Sequence, residues 1–204
     1  MTLESIDIPD EIKQLSQSAE ASCLIDLSHE RIEAFMQAND SVTQNFVRCD
    51  FHLFDQSLTW IRQNHLLTGN RFCELGSGFG VAAMLASLHG LESVGIEIES
   101  YLVEQACDLA EELDLSAEFF CGSFVPRDMP NISDLGSEVE HVETHEGEVY
   151  DEFGLEMNDF DLFFGFPWPG EEHFFEAVFE SGAAMNAMLL TFRGRDGMHL
   201  MRKT

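Results

Sequence analysis

The sequence predicts an α/β fold: a mostly parallel sheet with helices on both faces, an N-terminal helical cap and an antiparallel C-terminal hairpin. Three observations predict it. From residue 70 onward, short apolar runs alternate with stretches of helical length, the pattern of βαβ units with right-handed crossovers. The runs are apolar nearly throughout, as strands buried on both faces are. The last two apolar runs are separated only by a short turn, which favours an antiparallel pair. With 204 residues, 45% of them hydrophobic, the chain can bury one sizeable core. The division expected is a helical cap over residues 1–69 and a sheet domain over 70–204, carrying an acidic insertion at 126–159.

Residues 3–39 read as helical. The stretches EIKQLSQSAEASCLIDL and SHERIEAFMQAND carry apolar residues three and four apart, and Ser28, with Glu30 and Arg31 after it, suits a helix start. A further helix is expected through FDQSLTWIRQNHLL, stopped by TGN at 68–70. RFCELG then reads as a buried strand, GVAAMLASLHG as a helix closed by Gly90, and SVGIEIE as a second strand. SYLVEQACDLAEELDL is a helix with Leu102, Val103, Ala106, Ala110 and Leu113 on one face, and AEFFCGSF is a third strand. Residues 126–159 break the rhythm: they are acidic and poor in periodicity, which predicts a long loop. His141 and His145 lie there among glutamates and read as incidental members of a solvated loop, so no metal site is predicted. DFDLFFGF is an apolar strand ended by the stiff turn PWPG. EEHFFEAVFESG is a helix with acids in its first turn and Gly182 after it. NAMLLTFRG, RDG and MHLMRKT give strand, turn and strand.

Thirty-eight acidic residues face ten basic ones, a formal net charge of -28, and only Lys13 and Lys203 are lysines. Nucleic acid is held mainly by Lys and Arg at phosphates, so this surface repels it. The acidity reads either as a solvated surface or as adaptation to high salt, where counterions screen the self-repulsion. A melting temperature that climbs between low and molar salt singles out the second reading, and no gain eliminates it. No apolar run approaches the ~18 residues of a membrane span, and the polar, acidic N-terminus is unlike a secretory signal, so a cytoplasmic setting is expected. The five cysteines (Cys23, Cys49, Cys73, Cys107 and Cys121) are scattered and never form C-x-x-C, which predicts reduced, mostly buried thiols.

The segment with the most chemistry is FCELGSGFGV, residues 72–81. Glycines between a first strand and its helix bring backbone close to a ligand. A dinucleotide site reads G-x-G-x-x-G, with pyrophosphate on the helix N-terminus. Three residues after Gly78 stands Val81, so that spacing fails, and Glu74 is a poor neighbour for pyrophosphate. The pattern Glu74-Leu-Gly76-Ser-Gly78-Phe-Gly80 instead resembles motif I of the class I S-adenosylmethionine-dependent methyltransferases, a Rossmann-like family, and the order of elements follows that family over residues 70–200. The resemblance implies a turn (Gly76, Ser77, Gly78, Gly80) beneath the methionyl part of the cofactor and an acid, Glu74, that orients its ammonium group. It implies a ribose contact at the end of the second strand, where Glu97 is the best match, Ile98 is beside it and Glu99 is the spare candidate. After the third strand many relatives carry an acid against the adenine amine. This chain has Gly122-Ser123, which leaves Ser123 for one hydrogen bond and Phe124 to pack on the ring or in the core.

Substrate chemistry belongs at the carboxyl end of the fourth strand. Amine-methylating relatives carry Asn-Pro-Pro-Tyr there. This chain has Phe166, Pro167, Trp168 and Pro169, so that device is missing. Trp168, Glu171, Glu172 and His173 are the catalytic candidates: an aromatic wall and three groups able to take a proton. Methyl transfer does not require a dedicated base, since alignment in a dry pocket supplies much of the rate. Asp50, His52 and Asp55 are candidates for lid or substrate contacts, or members of an ordinary amphipathic cap with exposed acids. The expected function is methyl transfer from S-adenosylmethionine to a small molecule or protein side chain. The alternatives are a non-catalytic S-adenosylmethionine-binding sensor or partner and, after it, a nicotinamide-dependent oxidoreductase.

Overall fold

The computed structural model describes residues 2–38, 49–127, 129, 130, 132–136, 139, 142 and 149–204. Seven strands form one sheet in the order β1-β7-β6-β5-β2-β3-β4. They are β1 (Leu3–Ile6), β2 (Arg71–Leu75), β3 (Glu92–Glu97), β4 (Glu118–Cys121), β5 (Leu162–Gly165), β6 (Met188–Phe192) and β7 (Met198–Lys203). The central pairs β2–β3, β3–β4, β2–β5 and β5–β6 are parallel. The hairpin β6–β7 and the added pair β1–β7 are antiparallel. From β2 the chain winds outward to β4, then returns to the other side of β2 to lay down β5. That reversal opens a crevice at the carboxyl ends of β2 and β5, where such sheets take their ligands.

Strand residues alternate between two cores, as the two-residue period requires. Phe72, Leu162, Phe164, Met188 and Leu190 face one layer of helices: α1 (Ala19–Ala38), α2 (Phe51–Gln63), α3 (Val81–Leu88) and α4 (Ser100–Glu112). Cys73, Leu75, Ile96, Phe163 and Leu189 face the other layer, where α7 (Glu172–Gly182) contributes Phe174, Phe175, Val178 and Phe179. Both faces of the sheet are therefore covered, as the continuous apolar strands predict.

The expected helical reading of residues 3–39 fails at its start. Leu3–Ile6 is an edge strand on β7, with Leu3 opposite Lys203 and Ile6 opposite Leu200. A four-residue strand has no periodicity to read, and its partner lies nearly 200 residues away. Ser28 starts no helix either. It sits inside α1, fully buried, and its hydroxyl donates to the Leu24 carbonyl at 2.6 Å, a bond that satisfies it within a helix interior. α2 begins earlier than expected, capped by Asp50, whose carboxylate accepts from Leu53 N at 2.9 Å. It ends before TGN, because His65 takes a left-handed φ of 52°.

The insertion at 126–159 is not featureless among its described residues. It contains α5 (Ile132–Gly136) and α6 (Val149–Phe153). Val149, Tyr150 and Met157 are buried in the second core, and Tyr150 Oη donates to Phe124 O at 2.7 Å. Elements this short give no periodicity to read. His141 and His145 lie outside the described residues. Gly182 closes α7 from within, for packing: a Cβ there would stand 2.5 Å from Met157 Sδ. The thiols are less buried than expected: Cys49 and Cys73 are buried, whereas Cys23, Cys107 and Cys121 are exposed, on outer helix faces and at the end of the edge strand β4.

Candidate functional site

The turn after β2 has four of its N–H groups bonded within the protein. Gly76 N and Ser77 N both donate to Ile96 O at 2.9 Å, and Gly80 N donates to Ser77 O at 2.7 Å. Gly78 N donates to Glu97 Oε2 at 2.8 Å. A phosphate-binding turn presents these N–H groups to its ligand. Here all four are spent inside the protein. Gly80 meets two demands that no other residue satisfies: its φ is 70°, and a Cβ would lie 2.2 Å from Phe119 Cε1. It lets α3 pack hard on β4. Gly76 and Gly78 also hold positive φ, but nothing lies within 4 Å of where their Cβ atoms would stand, so bare backbone faces the crevice.

Two carboxylates bracket this turn. Glu74, one residue before the end of β2, is 5% exposed and accepts from Ala83 N at 2.9 Å, an otherwise orphaned N–H of the first turn of α3. Burial pushes its carboxyl up to about 8, against the Ala83 hydrogen bond and with the Glu97 charge adding to the rise. Glu97, the last residue of β3, is 9% exposed. It accepts from Gly78 N and, at 3.1 Å, from Glu99 N, so it braces the turn and the start of α4 together. Burial raises its carboxyl too, opposed by those backbone donors. Glu99 is exposed beyond it.

Three connected cavities open around these groups. One of about 190 Å³ is lined by Glu97, Ile98, Ser123, Phe124, Trp168 and Glu171, among others. One of about 410 Å³ shares Gly76, Glu97, Phe166 and Trp168 with it and extends to Glu172, Arg193 and Arg195. A smaller one of about 100 Å³ lies beneath the turn, between Glu74, Ser77, Cys49 and His29. Of the expected cofactor residues, Glu74, Gly76, Ser77, Gly78, Glu97, Ile98, Ser123 and Phe124 line this connected space, and Gly80 supports it from behind. Ser123 is 6% exposed, and its hydroxyl accepts from Val125 N at 3.2 Å. Phe124 packs in the core against Phe175, with ring centroids 5.2 Å apart, and also lines the first cavity.

The catalytic candidates separate. Trp168 and Glu171 line the first cavity and Glu172 the second. Glu171 is 6% exposed. Glu172 is partly committed, accepting from Gly170 N at 2.8 Å. His173 lines neither cavity; its side chain is 86% exposed and stands 3.4 Å from Glu176. Asp50, His52 and Asp55 line none of the three cavities. Asp50 caps α2, and His52 Nδ1 lies 2.6 Å from Gln17 Oε1. Asp55 is almost fully buried between Gln17 and His89, at 3.0 and 2.7 Å.

Sequence reasoning missed Arg193, Arg195 and His29. The two arginines follow β6, and the rule that ligands bind at carboxyl ends of strands points to that turn. His29 had no such signal, since only the packing of α1 brings it under the glycine turn.

No known family's sequence pattern matches the chain, and no curated protein matches it by sequence. Solved structures do match. An RNA methyltransferase from Salinibacter ruber, in complex with S-adenosyl-L-homocysteine, superposes with a TM-score of 0.50 at 17% identity, over 78% of this chain and 93% of that one. The fold is that of the class I S-adenosylmethionine-dependent methyltransferases. A hypothetical protein from Thermus thermophilus shares it, with a TM-score of 0.52 and 14% identity over 78% of this chain and 90% of that one. At such identities the likeness is one of fold. Among the described residues, no helix of this methyltransferase fold is long and apolar enough to cross a membrane.

Proposed function

We propose that the chain binds S-adenosylmethionine across this turn and transfers its methyl group to a small-molecule or protein acceptor. The observation that carries the reading is the polarity of the turn. Its N–H groups at Gly76, Ser77, Gly78 and Gly80 are consumed internally, while Glu74 and Glu97 present carboxyl groups. Such a site opposes pyrophosphate and suits a ligand that carries an amine, a sulfonium and hydroxyls. The residues fit the group in detail. Bare backbone at Gly76 and Gly78 admits close approach. Ser77 Oγ is buried with no hydrogen-bond partner among the described residues. Glu97 retains lone pairs for ribose hydroxyls.

Bound there, S-adenosylmethionine supplies an electrophilic methyl on a sulfonium. The chain does the rest. Glu97 would hold the ribose end, and Glu74 would pair with the ammonium as a carboxylate, its proton passing to solvent. Phe166 and Trp168 wall the junction of the two larger cavities and exclude water. Glu171 and Glu172 are the carboxylates placed to accept an acceptor proton. The net charge of -28 favours neutral or cationic acceptors over nucleic acid, although one structural neighbour is an RNA methyltransferase. A cytoplasmic setting with reduced thiols belongs to the same reading.

Tritium transfer from methyl-labelled S-adenosylmethionine tests the activity. The expected label goes to small amines or alcohols or to protein, and not to RNA. Label on RNA overturns the acceptor class, and cofactor binding without transfer to any class makes the chain a sensor.

A further inference from the structure

The smallest cavity, about 100 Å³ beneath the glycine turn, is where α1 meets the site. α1 is held there by Leu24, Ile25 and Ile32, all 3% exposed or less. From that helix His29 reaches the cavity opposite Ser77 and Glu74. Its ring lies 6.0 Å from that of Phe51 and 6.3 Å from that of His52, and it makes no hydrogen bond among the described residues. Ser77 Oγ, in a residue 5% exposed, also has no partner among them. Two polar groups without hydrogen-bond partners among the described residues thus face one small space that also contains the buried Glu74 carboxyl group.

The amino-acid end of the cofactor carries both charges. Glu74 answers its ammonium. Its carboxylate would enter a chain of net charge -28, close to that same glutamate, and needs donors. No described lysine or arginine lines this cavity. The N–H groups of Gly76, Ser77, Gly78 and Gly80 are spent. Among the described side chains lining it, the oxygen and nitrogen donors are the Ser77 hydroxyl and a His29 ring N–H, which an imidazole offers in either protonation state.

We infer that His29 and Ser77 form the subsite for the α-carboxylate of the cofactor's amino-acid end, so that the N-terminal helix completes the site. The inference rests on the cofactor reading above. Each group discriminates ligands that keep the amino-acid tail from those that have lost it.

The test is calorimetric titration of the full chain with S-adenosylhomocysteine, which has the tail, and with 5′-methylthioadenosine, which lacks it. His29→Ala and Ser77→Ala are each expected to weaken S-adenosylhomocysteine binding by about tenfold, the worth of one hydrogen bond to a charged group, and to leave methylthioadenosine within about twofold of wild type. His29→Gln, which keeps an N–H donor, recovers part of the loss. Equal weakening of both ligands makes His29 a structural cap residue and overturns the inference, as does wild-type affinity for S-adenosylhomocysteine in both alanine variants. Unchanged melting temperatures show that the variants fold. Failure of the wild-type chain to bind S-adenosylhomocysteine overturns the cofactor reading instead, so the two failures are distinct.

Discussion

Glu97→Ala is expected to lower the affinity for S-adenosylhomocysteine by roughly a hundredfold, near the upper end for a lost charge-assisted hydrogen-bonding group. Two losses combine. The ribose hydroxyls lose their acceptor, and the turn loses its brace, since Glu97 also ties down Gly78 N and Glu99 N. Those two N–H groups then face the crevice with no acceptor, which loosens the bare backbone the cofactor is to lie on. Glu97→Gln keeps the shape and one acceptor oxygen but cannot accept from both backbone groups and the ribose as a carboxylate does, so it falls between the two. Affinity unchanged in the alanine variant removes Glu97 from the site.

Glu74→Gln is expected to flatten the pH dependence of stability. Burial lifts the folded carboxyl from 4.5 to about 8, so the folded chain holds this proton more tightly than the unfolded one. The stability this residue contributes is fully present below pH 4.5 and is lost as pH rises through about 8, by an amount on the order of a few kcal/mol. The amide has no proton to lose, and its oxygen still accepts from Ala83 N. Between pH 5 and 8 the wild-type melting temperature should therefore fall more steeply than that of the variant; parallel slopes contradict a protonated Glu74. Ligand binding has the opposite sign. An ammonium beside Glu74 favours the carboxylate, so S-adenosylhomocysteine binding at pH 7 releases a proton, visible as a heat that varies with the buffer's ionisation enthalpy. The variant should bind more weakly and release less.

What the sequence revealed follows from where the signals lie in it. The strands β2, β3, β4 and β5 are apolar runs bounded by glycine, proline or charge, so their succession along the chain could be read directly, whereas their order in the sheet is a tertiary matter. The glycine turn and Glu97 were legible because the fold places them at fixed offsets on successive strands. Leu3–Ile6 was illegible because four residues carry no period and their pairing with Met198–Lys203 is a tertiary matter. Ser28 misled because a serine hydroxyl bonds a helix carbonyl as readily as it caps a helix. His29 lines the cavity beneath the turn only through the docking of α1. The internal use of the turn's N–H groups, which most sharply separates a cationic ligand from a phosphate, depends on the Ile96 carbonyl one strand away and on no local pattern.

The central claim is that the crevice over Gly76 and Gly78 takes S-adenosylmethionine and not a pyrophosphate cofactor. Calorimetric titration of the chain with S-adenosylhomocysteine and, separately, with NAD measures this most directly. The structure predicts saturable one-to-one binding of S-adenosylhomocysteine and no binding heat with NAD. Saturable binding of NAD with none of S-adenosylhomocysteine would contradict it.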